Sequence, residues 1–386
     1  MRYRWAVLAA GTAAATSNAA FGIGLPVIVP QLREEYDLSL GQIGVLLAAS
    51  WIGTTLTLLP WGLAADRFGE RVALTVGMLA SAACLVGAAY ASSFEELVVF
   101  LGLVGAAGSA VNSASGRAVM HWFGREERGF ALGVRQTAIP LGGLIGALTL
   151  PPIAEAGGSE AAFLFLAGLI VCGALVGALV LRGRDVTDGI EPASIARTIA
   201  DSKLWRLSFG SGLYLYAQIA VLGFGVLFLV DEHGFSKQSA ALVFAGGQVF
   251  AAAFRIGGGR WSDLLGARIV PLRRVGVAIV AVMLLTALLA GGPTWLLVPV
   301  LILACGLTMA WNGLSFTAAA ELAGALRTGA AIGVQQTVLA ASGVVAPVLF
   351  AATVDSASWP VAFVVAAVVP LAGWWLLGPL SERRGL

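Results

Sequence analysis

Charge is what this sequence has least of. Asp, Glu, Lys and Arg together make up 11% of 386 residues, where a water-soluble domain carries roughly a quarter. Hydrophobic residues account for 59% and the mean hydropathy is +0.90. A chain so poor in charge cannot solvate a globular surface of this size, so it reads as a multi-spanning membrane protein. Cys84, Cys172 and Cys305 fall in separate apolar segments, which excludes a zinc pattern or a disulfide framework. His121 and His233 are the only histidines and stand at the ends of apolar runs. There is no Gly-x-x-x-x-Gly-Lys-Ser/Thr, which argues against an ATP-driven pump, and no Ser/His/Asp cluster suggests an enzyme. No cofactor, metal or nucleic-acid partner is expected.

Long apolar runs are plentiful. About 20 apolar residues cross the hydrocarbon layer, and twelve segments qualify, near 5–30, 41–63, 72–91, 95–121, 129–153, 160–182, 204–230, 237–260, 269–291, 294–318, 328–353 and 358–380. The first is too long for a signal peptide and lacks a cleavage pattern, so it counts as span 1. Helices are required, because lipid leaves exposed backbone groups unpaired and the period-two pattern of a barrel is missing. Residues 183–203 are the most polar stretch. They divide the chain into an N-terminal six-helix bundle, 1–182, a linker, and a C-terminal six-helix bundle, 204–386.

Of the 23 Lys and Arg, 18 fall on the side shared by both termini, and only Arg33 and Lys237 on the other. That bias predicts cytoplasmic termini in a cytoplasmic (inner) membrane. No acidic residue is expected in the hydrocarbon core. Three basic residues remain within spans: Arg117, Arg135 and Arg255.

The chain also repeats itself. Gly133, Val134, Arg135, Gln136 and Thr137 recur two hundred residues on as Gly333, Val334, Gln335, Gln336 and Thr337, and Asn112 recurs as Asn312. After span 2 comes Gly62…Asp66-Arg67…Gly69-Glu70-Arg71, and after span 8 comes Gly259…Asp263…Gly266…Arg268. Twelve spans in two halves with this paired loop motif resemble the major facilitator superfamily. The resemblance implies two pseudo-symmetric six-helix bundles around a central cavity that opens alternately to each side. It also implies that Asp66, Arg67, Arg71 and Gly62, with Asp263 and Arg268, work as gating groups near the cytoplasmic face.

The span arginines carry the chemistry. An ionisable group inside a membrane costs on the order of 3 kcal/mol and is a functional candidate by default. With no acid at their depth, such cations suit an anion, and a guanidinium can hold a carboxylate through two hydrogen bonds. Arg117, near the end of span 4, can snorkel to the interface or bond the loop Asp, so it joins the gating group. Arg135 is two turns into span 5. Arg255 lies about 12 Å deeper than Asp263 along its helix, and it is the first choice for the anchor.

Arg255…Gly259…Asp263 resembles span 8 of the monocarboxylate transporters and oxalate/formate antiporters, which implies that Arg255 binds a substrate carboxylate. The nitrate/nitrite porters pair it with an arginine on span 2, but Leu58 stands there. Asn18, Asn112, Asn312, Tyr214, Gln218, Gln248, Gln136, Gln335 and Gln336 are polar residues that can complete the site or simply bond between helices. The sequence therefore predicts a monomeric secondary transporter for a small organic anion, with the lipid bilayer around it and a coupling proton or counter-anion. Its rivals are a multidrug or metabolite exporter and an inorganic-anion (nitrate- or cyanate-like) permease. A non-transporting sensor is a third class, disfavoured because the chain ends just after its last span.

Overall fold

The computed structural model describes residues 3–123, 128–181, 197–324 and 327–380, and all regular structure among them is helical. Eleven stretches are long and apolar enough to cross a bilayer. One of these, Gly133–Val180, has 48 residues, which at 1.5 Å per residue would be about 72 Å of helix, over twice the hydrocarbon thickness. It is two crossings. Gly157 and Gly158 leave helical geometry between them, Gly158 at φ +70°, a region that glycine enters without steric cost. Twelve spans result, as the hydropathy pattern predicts.

Span 1 is Tyr3–Tyr36, span 2 Leu40–Phe68, span 3 Glu70–Ala89 and span 4 Phe94–Trp122. Span 5 runs from Arg128 to the Gly157 break, and span 6 from there to Val180. The second copy comprises Ser202–His233, Lys237–Leu265, Ile269–Leu289, Thr294–Ala323, Thr328–Ser356 and Trp359–Leu376, spans 7 to 12. Asp201 caps span 7 by accepting the Lys203 N–H at 3.0 Å, so residues 202–203, predicted as linker, already belong to the helix. Residues 183–196 of that linker lie outside the described residues.

Three spans are interrupted. Span 1 passes through a 3-10 turn at Leu25–Ile28 containing Pro26. Span 5 breaks at Thr137, between Arg128–Gln136 and Ala138 onward. Span 10 breaks at Met309 and Ala310, between Thr294–Thr308 and Trp311–Ala323. Such breaks leave carbonyls without helical partners, which lipid cannot satisfy and other groups must.

The packing repeats as the sequence does. Spans 2 and 4 pack together in the first copy, and 8 and 10 in the second; spans 1 and 5 correspond to 7 and 11, and 3 and 6 to 9 and 12. Between the copies, span 2 lies against 11 and span 5 against 8. Span 7 is the most enclosed of the helices.

The two ends of these cross-copy pairs differ. Trp51 of span 2 stacks so closely on Gly343 of span 11 that an added Cβ would meet its ring at 2.4 Å. On the same face Arg33 pairs with Asp231 and Lys237 with Glu34, and Lys237 also donates to Gln31 at 2.7 Å. The opposite face holds both ends of the described chain. There Gly62, Gly133, Gly257, Gly259, Gly329 and Gly333 have no described atom within 4 Å of where a Cβ would sit. Among the described residues the two copies are drawn together toward the far face.

Candidate functional site

Arg255 is the centre of the arrangement. It is only 9% exposed, and its Nε donates to the Met309 carbonyl at 3.2 Å while Nη1 donates to the Gln136 carbonyl at 3.1 Å. Both carbonyls belong to helix breaks, one in span 10 and the other across the seam in span 5. A helix C-terminus carries partial negative charge, so two of them facing one guanidinium explain how a buried cation is tolerated without an acid. No described salt bridge involves Arg255 or Arg135. The third nitrogen, Nη2, is buried and has no partner among the described residues.

Two further candidates join this centre. Asn312 Nδ2 donates to the Met309 carbonyl at 3.2 Å and to Gln218 Oε1 at 3.1 Å, which ties spans 7 and 10 to the acceptor that Arg255 uses. Gln136 takes part through its main chain. Gln248, seven residues before Arg255 and therefore on the same face of span 8, is 1% exposed with neither side-chain polar atom paired. It presses against Gly143 of span 5, where an added Cβ would stand 2.8 Å from its amide.

Arg135 is held differently. Its Nε donates to Ser115 Oγ at 2.9 Å, within its own half. Two hundred residues on, Gln335 Nε2 donates to Ser315 Oγ at 2.6 Å, so the duplication extends to the hydrogen bond. Ser315 in turn shares a 2.5 Å contact with Ser211, at the place where the first copy has Gly11. Arginine with glycine in one copy matches glutamine with serine in the other, a near-conservation of volume around one serine. Ser115 and Ser315 are sites that sequence reasoning missed, although the same offset of two hundred joins them.

Other predicted members lie elsewhere. Tyr214 is fully buried, its ring edge-on to Trp311 and its hydroxyl wedged 2.0 Å from where a Gly276 Cβ would be. It packs between spans 7, 9 and 12 rather than beside Arg255, and its hydroxyl has no described partner. The shared helical face with Gln218 is therefore not a shared site. Asn18 abuts Gly108 of span 4, Asn112 is exposed, and Gln336 is half-buried.

Among the gating candidates, Arg268 binds Asp263 at 2.5 Å, Glu321 at 2.9 Å and Ser262 Oγ at 2.9 Å, joining the ends of spans 8 and 10. Burial works against the Arg268 charge, but the bonds to Asp263 and Glu321 and their charges outweigh it and raise its pKa above the ordinary value. Arg67 lies over the Phe68 ring, and Arg71 is exposed. The side chains of Asp66 and Arg117 lie outside the described residues.

Residues 8–347 match the family model of the Major Facilitator Superfamily, so the chain belongs to that superfamily. An uncharacterized MFS-type transporter of Mycobacterium tuberculosis, Rv2994, is 33% identical over 96% of this chain and 83% of its own length. A protein described as a probable nitrate/nitrite antiporter, NarK1 of Thermus thermophilus, is 27% identical over 68% of this chain and 61% of its own. The hexuronate transporter of Bacillus subtilis is 24% identical over 57% and 55%. Among solved structures, a bacterial homologue of the human lysosomal transporter Spinster, in an inward-facing and occupied conformation, superposes with a TM-score of 0.79 at 17% identity over the full length of both chains.

Proposed function

We propose that this transporter moves a small organic anion, a mono- or dicarboxylate, across the cytoplasmic membrane by alternating access. One observation carries the reading. Arg255 is buried at the seam between the two copies, fixed through two nitrogens, and its third nitrogen donates to nothing described. An unpaired buried donor on a charged group costs more than the usual 1–3 kcal/mol, and an incoming oxyanion relieves that cost. Asn312 and Gln218 set the size of what fits, and Arg135 adds positive potential from the other half. Residues 1–182 and 204–386 are the two rocking bodies, the terminal face is cytoplasmic by its excess of Lys and Arg, and the monomer is the working unit. With no acid in the core, the coupling proton travels on the substrate or a counter-anion takes its place.

The names of two relatives, a hexuronate transporter and a probable nitrate/nitrite antiporter, support an anion. Leu58, where the nitrate porters have their second arginine, favours the organic one. A thermal-shift sweep of the purified protein separates the readings, since a ligand at a hundred times its Kd stabilises the folded state by about 2.7 kcal/mol. Stabilisation by small carboxylates is expected. Stabilisation by nitrate or cyanate alone would favour the inorganic-anion permease, and by hydrophobic drugs alone the exporter.

A further inference from the structure

Span 5 breaks where it meets span 8, and the break has a chemical cause. In a continuous α-helix the Gln136 carbonyl would accept the N–H of the residue four further on, but that residue is Pro140, which has none. Nearby N–H groups are engaged elsewhere: Thr137 bonds Val134 at 3.1 Å and Leu141 bonds Thr137 at 3.1 Å. Arg255 reaches across from the other copy and takes the freed carbonyl at 3.1 Å. It is the one hydrogen bond between described residues of spans 5 and 8. The seam is antiparallel in a two-turn register, with Gln136 opposite Arg255 and Gly143 opposite Gln248.

We propose that Pro140 is a positioning residue: by freeing the Gln136 carbonyl it supplies the acceptor through which Arg255 ties the two copies together in the far-face-closed state. The tie is charge-assisted on one side and neutral on the other, which makes it firm yet replaceable. A carboxylate is the stronger acceptor for the same guanidinium. An anion arriving at the unpaired Nη2 competes with the Gln136 carbonyl for Nη1, and when it wins, the hydrogen bond across the seam is gone. Only this last step rests on the transport reading; the tie itself does not.

The test uses the full chain with its three cysteines replaced and spin labels at Glu95 and Thr294, exposed far-face positions in the two copies. Pulsed electron–electron distances are recorded without added anion. Pro140→Ala returns the Gln136 carbonyl to its own helix. It is expected to raise the ratio of far-face-open to far-face-closed molecules about tenfold, the effect of losing one charge-assisted hydrogen bond. The double variant Pro140→Ala/Leu141→Pro keeps a proline but frees the Thr137 carbonyl, which points about 100° away around the helix, and should shift the ratio equally. Wild-type ratios in both variants, in protein that melts cooperatively, overturn the proposal; so does a shift in the single variant alone, which would make the helix break the cause. Arg255→Gln keeps the outcomes separable. Lost carboxylate stabilisation with a wild-type ratio sinks the tie and leaves the transport reading standing, whereas a shifted ratio with no carboxylate response in the parent protein does the reverse.

Discussion

At the residue scale, burial without a partner divides the polar residues into two kinds. Arg255 Nη2 and both polar atoms of Gln248 are unpaired among the described residues on the seam between the copies, whereas the Tyr214 hydroxyl is unpaired in the packing of spans 7, 9 and 12 within one copy. Removing an unsatisfied buried hydroxyl is neutral or stabilising by about 1 kcal/mol. Tyr214→Phe is therefore expected to leave uptake unchanged and to hold or raise the melting temperature. A collapse of uptake in that variant would return Tyr214 to the binding site. Arg135→Gln together with Gly11→Ser converts the first copy's serine contact to the second copy's, so the fold should survive while anion affinity drops, read by thermal shift against carboxylate concentration. The sequence made Arg255 conspicuous as a cation in an apolar span. Its partners were hidden because they are main-chain carbonyls, which every residue has and only a helix break sets free. Pro140 was visible, but a proline's effect falls four residues upstream.

At the scale of the helices, the far face is held by Arg33 with Asp231 and by Lys237 with Glu34 and Gln31. Arg33 and Lys237 are the two basic residues that the charge bias left on the minority side, and both are occupied in bonds between the copies. An exposed ion pair contributes roughly 0.2–1 kcal/mol and weakens with salt. Lys237→Ala, which leaves Glu34 without its ion-pair partner and the Gln31 side-chain oxygen without its donor, is expected to raise labelling of a cysteine placed at Leu227, buried beside Arg33 and Glu34, severalfold, and 1 M salt should do the same with Lys237 in place. Unchanged labelling in both would assign the closure to the Trp51–Gly343 packing instead. The spans were legible because hydrocarbon thickness leaves little freedom of length; the Gly157 turn was legible as a gap between two apolar runs. The breaks in spans 5 and 10 were not, since length and mean hydropathy over a whole span are the same with a kink or without one.

Taken whole, the molecule is two copies of one helical unit that meet along spans 2 and 11 and spans 5 and 8, with ion pairs between them at the far face. The duplication in Gly133–Thr137 and Gly333–Thr337 anticipated that symmetry, and the loop motifs after spans 2 and 8 anticipated the family. What the residues alone could not tell was which exchange between the copies matters, because Arg135 and Gln335 turn out to fill equivalent serine contacts. Arg255, with Leu58 at its counterpart in span 2, is the exchange that crosses the seam. Carboxylate uptake into proteoliposomes by the parent protein, Arg255→Ala and Arg255→Lys, each checked for cooperative melting, decides whether Arg255 anchors the anion. Anchoring there predicts uptake by the parent protein, at least tenfold less by the alanine variant, the loss expected for charge-assisted bonds, and impaired uptake by lysine, which lacks the planar fork. Uptake by folded Arg255→Ala at the parent rate would contradict it.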